Sequence, residues 1–104
     1  MKGFGDMMNM MKQAQKLQQQ MAETQERLAA ERFESSAGGG LVKAVVDGRQ
    51  ALRGLTISPA ALADGDVGLL EDLILTAVGE AQRASEAHMR EEMGRLTGGL
   101  GLPF

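Results

Sequence analysis

The sequence has no cysteine, tryptophan or tyrosine, one histidine and two prolines in 104 residues. Without cysteine there is no disulfide framework and no thiolate zinc site. His88 has no companion histidine or cysteine, so neither a nucleophile–base triad nor a transition-metal cluster can be assembled. Phe4, Phe33 and Phe104 are the only aromatics, too few to stack successive bases, which argues against single-strand nucleic-acid binding of the usual kind. No apolar run approaches the roughly 18 residues that a membrane span needs, and the N-terminus lacks the apolar centre of a secretion signal. These absences predict a cytoplasmic, non-catalytic protein without a cofactor.

What is present is methionine, glutamine and alanine. Hydrophobic residues make up 43%, but large aliphatics are few, so one domain of this length has a thin core. Small domains bury only part of their surface, and dimerisation is the expected remedy. The net charge of −3 is unevenly spread. Residues 1–20 carry three lysines against one aspartate, whereas residues 59–80 hold Asp64, Asp66, Glu71, Asp72 and Glu80 with no base. Acid near a helix start complements the helix dipole.

From Met7, alternating steps of three and four residues give Met7, Met10, Ala14, Leu17, Met21, Thr24 and Leu28. This is an a/d seam over three heptads with one polar break at Thr24, and it predicts a helix from Asp6, as N-cap, to Ala30. "RFESS" then reads as a short strand and "AGGG" breaks it. "LVKAVVDG" alternates Val42, Ala44 and Val46 on one face, and Asp47-Gly48 signals a hairpin. "RQALRGLTI" is a third strand in which Leu52 is out of phase with Leu55 and Ile57. Either the sheet is apolar on both faces or a bulge near Gly54 resets the register. Ser58 and Pro59 open a single helical turn, and Asp66 caps a last helix running to Leu96. Its stripe of Leu70, Leu73, Ile74, Ala77, Val78, Ala81 and Ala84 has small residues mid-way, which would admit another helix. The expected fold class is α+β, an α-β-β-β-α protomer, with one domain over residues 1–97 and a flexible Gly-rich tail over 98–104.

Lengths set the shape. Helices of 25 and 31 residues measure roughly 37 and 46 Å, against roughly 23 Å for a seven-residue strand. A three-stranded antiparallel sheet cannot cover such helices, so two long helices project. Their free parts are expected to lie antiparallel, Met7–Leu17 against Ala84–Leu96, bringing Met7, Met8, Met10, Met11, Met89 and Met93 to one tip. Open sheet edges again favour pairing two copies.

The chain resembles the YbaB/EbfC nucleoid-associated proteins over essentially its whole length. The resemblance rests on "MKQAQKLQQQM", "SSAGGGLVKAVVDG", "LTISPAAL", "LLEDLILTAVGEAQRASE" and a Gly-rich end in "LPF". It implies a tweezer-like homodimer with paired helical arms and a bacterial, nucleoid-located, DNA-binding role without catalysis. It also points to recombination-repair proteins as associates, since such genes often neighbour those of the family.

On that basis the candidate DNA-binding residues are Lys2, Lys12, Lys16, Arg90 and Arg95. They would touch backbone phosphates of double-stranded DNA, releasing counterions and making binding salt-sensitive. The plain alternative is a solvated helix face, since lysine and glutamine are good surface helix formers. Lys43, Arg49 and Arg53 on the sheet are the fallback. For the tip methionines the alternatives are seam packing or a flexible contact surface. That surface would make the chain a protein-binding adaptor or holdase. "AGGGLVK" is not a phosphate loop, because Lys43 is wrongly spaced and lies in a strand. Asp64, Asp66, Glu71 and Asp72 fit no EF-hand and read as capping and dipole partners.

Overall fold

Two long helices extend from a small sheet whose inner face is buried along the central strand and at Ala37 of one edge strand. The computed structural model describes residues 2–98; Met1, residues 99–104 and the Lys2 side chain lie outside the described residues. The elements in order are α1 (Lys2–Ala30), β1 (Arg32–Ala37), β2 (Val42–Asp47), β3 (Leu52–Ile57), a 3₁₀ turn (Pro59–Leu62) and α2 (Val67–Gly98). The α+β, α-β-β-β-α order is as the sequence predicts. The expected tail beyond Gly98 falls outside the described residues.

α1 begins at Lys2, not at the expected Asp6 cap, which lies inside the helix. Gly3 and Gly5 lower helix propensity by about 1 kcal/mol each without forbidding the helix. The second cap is as expected: the Asp66 carboxylate accepts from the Leu69 amide at 3.0 Å. Ser58 caps the 3₁₀ turn with Pro59 at its start.

The sheet is antiparallel, β1-β2-β3. Val42 opposes Ile57, Ala44 opposes Leu55 and Val46 opposes Leu52, and the register shifts between Val45 and Val46. With Val45 opposite Gly54, Arg53 is an extra residue on β3. This bulge settles the phase of Leu52. All three apolar residues of β3 share the face of Val42, Ala44 and Val46, and the sheet is apolar on one side.

α2 lies across that side, and Ala77 and Ala81 sit fully buried against Ala37, Val42, Ala44 and Val46. The small residues expected to receive a helix receive the sheet. Phe33, Leu70, Leu73, Ile74 and Val78 close the rim. The helix covers β1 and β2 and leaves β3 bare: Leu52, Leu55 and Ile57 are 49%, 40% and 37% exposed. On α2, Val67 and Leu75 are exposed too.

The β2–β3 hairpin is where the helices are anchored. Gly48 donates its amide to the Leu28 carbonyl at 2.8 Å, and Ser85 Oγ, fully buried, donates to the Asp47 carbonyl at 2.6 Å. Asp47 Oδ1 accepts from the amides of Arg49 (2.8 Å) and Ala51 (3.0 Å), and Oδ2 from Arg53 Nε (2.9 Å). Gln50, at φ 65°, turns the loop in the left-handed region. Gly48 does not; its glycine is required by approach, since a Cβ there would stand 2.6 Å from the Leu28 carbonyl oxygen.

Two outcomes follow from this hairpin. Gly48→Ala forces two backbones apart and is expected to lower stability by about 1–3 kcal/mol in denaturant unfolding; no loss would mean the contact is slack. Asp47 is the pH-sensitive element. Loss of water is the largest single influence on its carboxyl and favours the neutral acid. The amides of Ala51 and Arg49 and the Arg53 guanidinium together outweigh it, and hold the carboxyl below its ordinary value of 3.8. The side chain is covered by its own loop at the end of the sheet, so its burial is shallow. A depressed carboxyl contributes stability above the unfolded value and loses it as pH falls through the folded one. Asp47→Asn is therefore expected to be less stable than the parent at pH 7, and the gap should close at pH below about 4. A constant gap across an acid titration would exclude this origin.

Candidate nucleic-acid interface

α1 leaves the hairpin beside the C-terminal half of α2, and the two run antiparallel. Arg27 Nη2 meets Glu92 Oε2 at 2.9 Å, and His88 Nε2 lies 2.6 Å from Glu31 Oε2. That second contact is close enough for a hydrogen bond but not aligned as one. The His88 ring also rests on Phe33, with centroids 5.4 Å apart. Farther out, Gln20, Glu23, Thr24 and Arg27 face Glu92, Arg95 and Leu96 across a groove of about 260 Å³. Thr24, the polar break in the seam, is buried here, and Leu28 is fully buried at the hairpin.

The offset differs from the expected one. Residues 20–30 of α1 and Glu31 just after it, not Met7–Leu17, pair with His88–Leu96. The reason is how the helices divide over the sheet. α2 spends its first half covering β1 and β2, whereas α1 touches the sheet only through its last turn. α2 therefore has little length left to project, and about 18 residues of α1, roughly 27 Å, run on past its end. The molecule is 77 Å long and 22 Å across its next axis. Met89 and Met93 are not at the tip: they are half-buried near the root, and Met89 Sδ lies 3.7 Å from Gln50 Nε2. The tip holds Phe4, Met7, Met8, Met10 and Met11, all exposed.

The candidate basic residues fall into two groups. Lys12 and Lys16 are exposed on the projecting part of α1, one helical turn apart on the same face. Among the described residues neither forms an ion pair, and Asp6 is the only acid in residues 2–19. Arg90 and Arg95 stand on α2 beside the root of the arm and are engaged there. Arg90 pairs with Glu86 at 2.6 Å, and Arg95 pairs with Glu91 at 2.9 Å and Glu92 at 3.2 Å. Arg95 is level with Thr24, so roughly 12 Å of helix separates it from Lys16. The five residues do not form one patch, and the Lys2 side chain lies outside the described residues. Arg27, which the sequence did not single out, joins Arg95 at the groove; its partner Glu92 is 65 residues away, and no local pattern announces it. Of the sheet residues, Lys43 is exposed on the face opposite α2, and Arg53 is held by Asp47.

The arrangement is a lever: a compact root, and a cationic helical prong free of neighbours among the described residues. The same α+β arrangement is found in an uncharacterized protein from Helicobacter pylori of known crystal structure. It superposes with a TM-score of 0.79 over 85% of this chain and 92% of that one, at 17% identity. Among sequence relatives, a nucleoid-associated protein from Desulforamulus reducens is 50% identical over 99 residues, 95% of this chain and 94% of the relative. One from Pelotomaculum thermopropionicum is 48% identical over the same shares. The sequence profile of the YbaB/EbfC DNA-binding family matches residues 2–100, and the chain belongs to that family.

The root contacts are testable. Arg27 is half-exposed, so its bond to Glu92 is worth no more than about 1 kcal/mol. Glu92→Gln should raise amide exchange in residues 20–30 of α1 while leaving β2 protected. Equal deprotection of β2 would show that the pair holds the whole fold and not the arm alone.

Proposed function

We propose that this chain is a homodimeric nucleoid-associated protein that grips duplex DNA through its projecting helices, mainly by sugar–phosphate contacts. The observation that carries this reading is the pair Lys12 and Lys16, unopposed by acid on a prong bordered by glutamines. Lysine neutralises phosphate without reading bases, and Gln15 and Gln19, on the lysine side of the helix, supply donors to phosphate and sugar. The net charge of −3 does not conflict with this. Asp64, Asp66, Glu71 and Asp72 flank the start of α2, at the far end of the sheet from the arm. The lengths of α1 and α2 put them roughly 50 Å from Lys12, many times the ~8 Å over which charges act at physiological salt.

The dimer is supported by the face that α2 leaves uncovered. Leu52, Leu55 and Ile57 lie exposed together on one face of β3, and exposed apolar surface on a small protein marks contact sites. Two copies meeting there would present two arms to one duplex.

Lys12→Glu combined with Lys16→Glu tests this. The unaltered dimer should shift duplex DNA in a gel, with affinity falling steeply as salt rises. The double variant should lose more than about tenfold in affinity at low salt, as two phosphate contacts become repulsions. Light scattering should show its dimer intact. Unchanged binding would move the interface to Lys43, Arg49 and Arg53, and no shift of the parent protein at low salt would end the proposal. The exposed Phe4 and methionines at the tip favour the adaptor or holdase as a second reading. Protein partners that persist in a nuclease-treated pull-down would support it.

A further inference from the structure

The seam of α1 does not end where α2 ends. Leu28 and Thr24 are buried at the root; then the same row emerges with Leu17 half-buried, Met21 43%, Met10 68% and Met7 63% exposed. Together with Ala14, five successive a and d positions are uncovered among the described residues. We infer that the α1 prong of a further copy of this chain, outside the pair that shares one duplex, packs along this seam, helix on helix.

Three features identify that occupant. The row is continuous with a helix contact already formed at the root, so its spacing is that of helix packing and not of a random apolar face. Its flanking e and g positions from 11 to 25 are Met11, Gln13, Gln18, Gln20 and Gln25, with no charge. Two identical helices therefore meet there without repelling each other in either direction, and the glutamine amides find partners in one another. A lipid surface would leave those amides unpaired. Finally, the charges Lys12, Lys16, Glu23 and Glu26 all occupy outward c and f positions. Lys12 and Lys16 each lie two residues from Ala14, about 200° around the helix, so seam pairing leaves the lysine face open. The contact does not depend on DNA, and a failed gel shift would not touch it.

The absence of native cysteine makes the test direct. Ala14→Cys lies near the middle of the uncovered seam, and Gln19→Cys lies on the far side as control. Under mild oxidant in the full chain, Ala14→Cys should form disulfide-linked pairs at least about 100-fold faster. That is the lower range of the gain from effective concentration in a docked pair. Adding Met10→Glu, at an exposed position, should abolish the difference without loss of helix content by circular dichroism. Equal rates for the two cysteine variants would overturn the inference. So would linkage of Ala14→Cys that appears only after removal of residues 99–104, which would give the seam to the chain's own tail. Protection of the Ala14→Cys thiol only by vesicles of anionic phospholipid would also overturn it, in favour of a membrane surface.

Discussion

One main-chain contact governs the shape of this protein: the Gly48 amide on the Leu28 carbonyl. It joins the last turn of α1 to the β2–β3 hairpin at backbone distance, and Ser85 joins the other side of the same hairpin to α2. Three elements are thus locked, one junction through main-chain groups alone and the other through a short, fully buried hydroxyl. Among the described residues α1 touches the rest of the chain only through its C-terminal third, so its direction is fixed at this junction and carried outward by the stiffness of the helix. A shift of an ångström at Leu28 is multiplied along a lever of more than 20 residues. The glycine at 48 and the buried serine at 85 are small for that reason: each gives up side-chain volume to bring two backbones together.

The rest of the fold divides labour along the same axis. α2 puts its alanines on β1 and β2 and builds a core from few residues. The cost of that economy is an uncovered third strand. Acid gathers at the N-terminal end of α2, where the helix dipole welcomes it, and lysine at the opposite tip. A protein with net negative charge can in this way offer a cationic surface, because screening makes the two ends electrostatically independent.

The sequence disclosed what depends on local pattern. The α-β-β-β-α order, the Asp66 and Ser58 caps, the hairpin after Asp47 and the seam of α1 all follow from spacing and residue type. What it withheld depends on a single residue or on the meeting of distant elements. The bulge at Arg53 could not be told from a two-sided apolar strand, because both place Leu52 out of phase with Leu55. The helix offset was misjudged because nothing in either helix states how much of it lies over the sheet. Once α2 uses residues 70–85 on the core, its partner on α1 is Thr24 and not Ala14, and Met89 and Met93 move from tip to root. Of the candidate site, Lys12 and Lys16 were legible as a face, whereas the engagement of Arg90 and Arg95 by Glu86, Glu91 and Glu92 was visible only as i, i+3 and i, i+4 spacing. Their nearness to the arm tip was not real.

The composition of the prong now has a physical account. A helix of about 18 residues without neighbours among the described residues is marginal in water, and Gly3 and Gly5 weaken it further. Methionine, glutamine, lysine, alanine and leucine are among the better helix formers, and they help the segment hold its form. Its two faces are opposite and chemically distinct, yet they share one folding equilibrium. Whatever docks on the seam removes frayed states of the helix, and the lysine face then binds without bearing that ordering cost. The reverse holds equally, because coupling between two sites is reciprocal. A rod kept near the edge of stability thus links self-contact to anion contact through helix order alone, with no moving part.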